Sequence, residues 1–326
     1  MKRIQRISSH ALSKILLLLL IIISVNVSNV NANNFHAVGA DTVSIEGRWD
    51  ITTDAAGKQV PSWLEIRHSG NHTLVGQFVG PSGSARPVSE IKYSGGKISF
   101  SIPAQWESGN KELSVEGTFT SDRLSGSMST VDNKNYTWTA VRAPLLKREK
   151  QPVWGTAVKL FNDKDMQGWH AMGANQWKAA NGILHSPQSG SNLVTDKSFT
   201  DFKLHIEFRY PKGSNSGVYL RGRYEVQVTD SKGMEPSLDQ LGAIYGFLAP
   251  SDNMAKDAGE WQSYDITLIG RMVTLAVNGK LVIVNQAIPG ITGGAIDSNE
   301  GDPGPLLIQG DHGPIEYRNI MITVPR

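Results

Sequence analysis

Several short runs in the C-terminal half set chemistry-bearing side chains at alternate positions. In Phe202-Lys203-Leu204-His205-Ile206-Glu207-Phe208-Arg209-Tyr210 an extended chain turns Leu204, Ile206 and Phe208 to one side. His205, Glu207 and Arg209 then share the other side. In Ser216–Arg221 the inward residues are Val218 and Leu220, leaving Tyr219 and Arg221 outward; in Tyr224–Thr229 they are Val226 and Val228, leaving Glu225 and Gln227. Near the end, Leu306 and Ile308 alternate with Leu307 and Gln309, and Asp311-His312-Gly313 follows. A merely solvated sheet face mixes Lys, Glu, Thr and Ser. These faces instead collect carboxylate, guanidinium, amide, imidazole and phenol groups, planar hydrogen-bonding groups suited to holding sugar hydroxyls.

The elements that must position these residues are strands. From Ala157 onward, Ser263–Ile269 and Met272–Val277 alternate like the runs above, and Asn278-Gly279 is the two-residue turn that φ > 0 demands, leading into Lys280–Val284. The natural architecture is a jelly-roll β-sandwich. From Glu46 to Ala143 about eight shorter runs recur every 10–12 residues, among them Trp63–Arg67, Thr73–Phe78, Lys97–Phe100 and Leu113–Phe119. Turn clusters such as Gly80-Pro81-Ser82-Gly83 and Ser94-Gly95-Gly96 separate them, and Leu124–Met128 echoes Leu74–Phe78 as in a meander. The spacing predicts a small antiparallel barrel or sandwich over residues 41–143. No helical period of useful length appears, so the whole chain is expected to be all-β. Residues 144–153, charged and bounded by Pro144 and Pro152, read as a linker to a domain at 154–326.

Composition narrows the class. At 19 % charged and 39 % apolar over 326 residues, the chain is neither disordered nor a multispanning membrane protein. It opens with Lys2, Arg3, Arg6 and Lys14, an unbroken Leu/Ile run over Ile15–Ile23, and then small and polar residues through Val30-Asn31-Ala32. That order predicts a signal peptide over residues 1–32, cleaved after Ala32, because a membrane span needs about 20 apolar residues. Residues 1–32 hold those four cations and no acid, so the net charge of +2 becomes −2 in the mature chain, which has no electrostatic pull on nucleic acid or anionic lipid. No membrane anchor is expected after cleavage. Cysteine is absent. With no disulfides, thiolate chemistry or cysteine-ligated zinc, an exported chain of this kind suits a bacterial periplasm or exterior.

One ordered set of motifs is specific. Glu207-Phe208-Arg209, Asn215-Ser216-Gly217-Val218-Tyr219-Leu220-Arg221, Tyr224-Glu225-Val226-Gln227, Gly242-Ala243-Ile244-Tyr245, Gly259-Glu260-Trp261, Val277-Asn278-Gly279, Gln309-Gly310-Asp311-His312-Gly313 and Tyr317-Arg318-Asn319-Ile320 stand in that sequence. Over about 157–326 they resemble the 3-keto-disaccharide hydrolase family, also described as 3-keto-glucoside 1,2-lyases and 3-keto-2-hydroxy-glucal hydratases. Gly310 between Gln309 and Asp311 departs from the family's contiguous pattern. The resemblance implies a concanavalin A-like jelly roll in an exported bacterial enzyme acting on an oxidised, 3-keto sugar or glycoside. A retaining glycosidase on such a fold sets two carboxylates about 5 Å apart. Here Gln227 stands where the second acid would be, and Asp230 has the wrong parity. A 3-keto sugar opens another route: its ketone acidifies the C2 hydrogen, a base removes it, and the C1 substituent leaves, after which water can add back.

On this reading Glu225 or His312 is the base, and Arg221 or a divalent cation with oxygen and imidazole ligands stabilises the enolate; no organic cofactor is expected. Glu207, Arg209, Asn215, Tyr219, Arg221, Gln227, Tyr245 and Gln309 are the candidate substrate-binding residues. The alternative is a non-catalytic carbohydrate-binding module of the same fold.

Overall fold

The computed structural model describes residues 44–326; the signal-peptide assignment falls outside them. Among the described residues all regular structure is strand. Eight make a closed antiparallel barrel in sequence order: β1 (Gly47–Ala55), β2 (Lys58–Ser69), β3 (Thr73–Val79), β4 (Arg86–Ser94), β5 (Lys97–Ile102), β6 (Leu113–Thr120), β7 (Arg123–Ser129) and β8 (Asn135–Arg142), with β8 pairing back onto β1. Of the two architectures open in the sequence, the barrel is the one formed, and closure leaves no unpaired edge. Inward positions such as Trp49, Ile51, Leu64, Phe100 and Val115 fill its core.

The remaining strands are β9 (Val158–Lys159), β10 (Trp169–Ala171), β11 (Lys178–Ala180), β12 (Ile183–Ser186), β13 (Leu193–Phe199), β14 (Phe202–Arg209), β15 (Asn215–Leu220), β16 (Tyr224–Thr229), β17 (Gln262–Ile269), β18 (Met272–Val277), β19 (Lys280–Ala287), β20 (Gly304–Ile308) and β21 (Ile315–Thr323). They form a sandwich of two antiparallel sheets. One runs β10-β13-β20-β15-β16; the other runs β11-β12-β21-β14-β17-β18-β19, with β9 on β21. Leu204, Ile206, Phe208, Val218, Leu220, Val226, Val228, Leu306 and Ile308, the inward residues of the alternating runs, lie together in the core between the sheets. Asn278 and Gly279 take φ of 51° and 83° in the β18–β19 hairpin, as the turn requires.

The barrel is docked on the sandwich, and residues 44–326 make one compact unit. Three glycines let the backbones approach. Trp63 of the barrel lies where a Cβ on Gly290 would be 2.2 Å from its ring and meets Phe247 edge-on at 5.2 Å, while Gly246 and Gly293 seat the Ser82–Ala85 loop. Behind this contact is a buried polar cluster: Arg271 grips both oxygens of Glu300, which also accepts from Tyr224, and Asp50 of β1 faces the same carboxylate. Residues 144–153 hold no strand. They are nonetheless fixed to the sandwich, the Pro144 carbonyl accepting from Arg271 at 2.8 and 2.9 Å and Arg148 pairing with Asp201 at 2.7 and 3.0 Å.

Candidate active site

The antiparallel register of β15 and β16 sets Tyr219 opposite Glu225 and Gly217 opposite Gln227, and β20 lies on the other side of β15. On this strand face, away from the sandwich core, Tyr219, Glu225 and Gln227 are collected. Gln309 follows β20 and donates its N–H to Gly217 O at 2.9 Å. The face is covered: Tyr219, Glu225, Gln227 and Gln309 are all buried. Glu225 lies over Gly217, where an added Cβ would sit 2.5 Å from Oε1, so the carboxyl needs glycine beneath it. The Tyr219 hydroxyl is 2.8 Å from Glu225 Oε2 and 3.0 Å from Gly293 O. One phenolic proton faces two acceptors. With Glu225 ionised, Tyr219 donates to it; with Glu225 protonated, the carboxyl can donate to Tyr219 and Tyr219 to Gly293, so both charge states are satisfied.

Burial pushes the Glu225 carboxyl up to about 8, against the opposing pull of the Tyr219 hydrogen bond and the His312 charge. His312 Nδ1 lies 2.7 Å from Asp311 Oδ1, and that bond, with the charges of Asp311 and Glu225, holds the imidazole above its ordinary value. Tyr245 is half-buried, its backbone N–H donates to Glu225 O at 3.1 Å, and burial followed by the Glu225 charge raises its phenol. Gln227 Nε2 donates to Asp239 O at 3.3 Å. The side-chain oxygens of Asn215, Gln227 and Gln309 are buried without a partner, at about 1–3 kcal/mol apiece. Buried acceptors without a protein partner call for one from outside the chain, such as water or a ligand's donor.

A cavity of about 480 Å³ opens at this place, lined by Leu238, Asp239, Tyr245 and His312 from the sandwich and by Gly83, Ser84, Ala85 and Trp106 from the barrel. Of the residues picked out in the sequence, the structure thus gathers Glu225, His312, Tyr219, Gln227 and Tyr245 at or beneath one cavity, with Gln309 bonded to Gly217 of the same sheet and Asn215 at the start of β15 opposite Thr229. Asp311, Asp239 and Trp106 are additions. Asp311 adjoins His312 in the motif, so its orienting role had a signal; Asp239 and Trp106 had none.

Three candidates stand elsewhere. Glu207 is bound by Arg318 at 2.6 Å and Asn319 at 2.8 Å, and Arg209 pairs with Glu316 at 2.6 Å and covers Trp261 at 4.7 Å, both on the outer side of the other sheet. Alternation assigns a residue to a side of its strand, not a strand to a sheet. Arg221 is fully buried, donating to Tyr224 at 2.7 Å and Gly270 O at 3.3 Å. Its φ of 53° ends the extended run, so the parity that pairs it with Tyr219 stops one residue short. An enolate-stabilising role for Arg221 is therefore withdrawn. Among the described residues no group of three or more His, Cys, Asp or Glu stands close enough to hold a metal ion.

The model of the 3-keto-alpha-glucoside-1,2-lyase-like domain matches residues 156–323, just over half of the chain. The chain belongs to this family. None of the curated proteins compared matches it. Among solved structures it is similar to a candidate glycosyl hydrolase from Parabacteroides distasonis, at 28 % identity and a TM-score of 0.45, over 56 % of this chain and 96 % of that one. A second such protein from the same organism matches at 24 % identity and a TM-score of 0.42, over 52 % and 98 %. A β-glucanase from Bacillus licheniformis matches at 11 % identity and a TM-score of 0.34, over 55 % and 100 %. The lyase-like domain places the chain among carbohydrate-active enzymes and contains Glu225, His312 and the amide residues. Only the barrel's side of the cavity lies outside it.

Proposed function

We propose that the protein cleaves 3-keto-glycosides by elimination and rehydration, giving net hydrolysis. The observation that carries this reading is Glu225: a carboxyl buried beneath the cavity, with its basicity raised to about 8 and a tyrosine hydroxyl that serves either charge state. General-base catalysis is most efficient when the base's pKa lies near the working pH, and a raised carboxylate meets that condition for the carbon acid next to a ketone. Glu225 takes the C2 proton, and the C–H electron pair passes into the enolate of C2 and C3. The Tyr245 hydroxyl, close to Glu225 and held protonated, is the donor for the enolate oxygen in place of Arg221. The enolate then expels the C1 oxygen, forming the C1=C2 double bond. His312, whose protonated form the Asp311 hydrogen bond favours, gives that oxygen its proton. Water adds at C1 and a proton returns to C2, completing hydrolysis; release before that step makes the outcome a lyase. The side-chain amides of Asn215, Gln227 and Gln309 hold sugar hydroxyls.

A binding module of this fold would need the amides but no base of raised basicity, which favours the enzyme. Incubating the protein with methyl 3-keto-glucoside tests the choice. Turnover in the wild type, slowed about 10²–10⁴-fold by Glu225→Gln with sugar binding retained, is the expected result; binding without turnover in the wild type would make the chain a module. The leader supports export to the periplasm or exterior as part of the same proposal.

A further inference from the structure

Among the described residues, Trp106 is the one large aromatic that the barrel presents to the cavity. It sits between β5 and β6, half exposed, with its ring against Gly83, where a Cβ would be 2.1 Å away, and the Arg86 guanidinium 5.2 Å from the ring centre. The same ring lines a second cavity of about 530 Å³ in the barrel mouth. That volume is in the range of small-ligand sites. Its walls set apolar side chains, Phe78, Leu113, Met128, Val131 and Tyr136, beside polar ones that include Ser82, Ser108, Thr130 and Asp132. Two of the polar residues carry unpartnered donors. Arg86 pairs with Glu107 at 2.6 Å yet leaves Nε without a partner, and Thr53 Oγ1 has none; both side chains are more than nine-tenths buried.

The catalytic cavity and the barrel mouth therefore meet at one tryptophan. A glycoside has two parts on either side of its C1 oxygen. With the oxidised sugar beneath His312 and Tyr245, the leaving group projects toward the wall that Trp106 forms. Phe78, Leu113, Met128, Val131 and Tyr136 offer it an apolar surface there. A flat apolar ring would stack on Trp106, and an oxygen on that ring would reach toward the unpartnered donors of Arg86 and Thr53.

We propose that the barrel mouth is the leaving-group subsite and takes an aromatic aglycone bearing an oxygen substituent, with Trp106 as its platform. The proposal rests on the reaction assigned above but concerns residues outside the family domain. The loop that carries Gly83 is seated on Gly246 and Gly293, so the subsite is fixed relative to Tyr219 and Glu225.

The test compares 4-hydroxyphenyl and methyl 3-keto-glucosides on the wild type, Trp106→Ala and Trp106→Phe, with circular dichroism to confirm that each variant folds. A calorimetric titration with unoxidised 4-hydroxyphenyl glucoside is run alongside. Trp106→Ala should lower the aryl-to-methyl ratio of kcat/KM about tenfold, chiefly through KM, and weaken the titration about tenfold; Trp106→Phe should restore most of both. If both substrates turn over and neither ratio nor titration depends on Trp106, the subsite is wrong and the reaction stands. If the wild type cleaves neither but the titration still depends on Trp106, the reaction is wrong and the subsite stands. Equal losses for the two substrates would also overturn the subsite.

Discussion

Replacing Tyr219 by Phe removes one hydroxyl and puts the assignment of Glu225 as base at risk. Burial raises the Glu225 carboxyl to about 8, and the Tyr219 hydrogen bond works against that rise. A hydrogen bond to a charged group contributes about 1.5–3 kcal/mol net, which at about 1.4 kcal/mol per pH unit is about 1–2 units. Tyr219→Phe should therefore carry Glu225 from about 8 to about 9–10. A base must be ionised to act, so ionisation of Glu225 raises kcat/KM with pH, while loss of the His312 proton lowers it at high pH to the same extent in both proteins. At pH 7 about a tenth of the wild type is ionised, and in the variant about a hundredth to a thousandth, a 10–100-fold loss. The loss should shrink as the pH approaches 10. The assay is kcat/KM on methyl 3-keto-glucoside from pH 6 to 10, on both proteins. A loss of equal size at every pH would show that Tyr219 does not act through Glu225 ionisation. A wild-type rate that falls above pH 8, with the fall postponed in the variant, would make Glu225 an acid.

Three further outcomes are expected. Gly217→Ala puts a methyl 2.5 Å from Glu225 Oε1; turnover should fall at least tenfold while circular dichroism stays native, and retained activity would mean the carboxyl position is not critical. Burial, then the Glu300 charge, pushes Asp50 up to about 9 from an ordinary 3.8. The unfolded chain loses this proton near pH 4 while the folded one keeps it, so its contribution is whole below pH 4 and declines by up to about 1.4 kcal/mol per unit toward pH 9. Asp50→Asn removes that slope: denaturant midpoints should coincide near pH 4 and favour the variant increasingly toward pH 9, and parallel curves would contradict the buried neutral carboxyl. N-terminal sequencing of exported protein should begin at Asn33, whereas Met1 would revive a membrane anchor.

Much of the fold is legible because period-two alternation is a strong signal. Leu204, Ile206 and Phe208, or Leu306 and Ile308, reach the core face as their parity requires, and Asn278-Gly279 makes the expected hairpin. Within the site, Glu225, Tyr219 and Gln227 were readable for the same reason. Glu207 and Arg209 have the right parity on a strand of the other sheet, information that pairing partners carry and a single strand does not. Arg221 fails at a residue of positive φ, where the periodicity ends. Trp106 reaches the site through the docking of two β bodies far apart in sequence, and local pattern has no access to that geometry.

The most direct test of C2 chemistry is to run the wild-type reaction on a 3-keto-glucoside in deuterium oxide and locate the label. Removal of the C2 proton and later return of one from solvent put deuterium at C2 of the released sugar, and Glu225→Gln should suppress cleavage and labelling together. Complete retention of the original C2 hydrogen in a cleaved product, under conditions where the free 3-keto sugar does not itself exchange, would contradict elimination and point to direct displacement at C1 with Glu225 as the nucleophile.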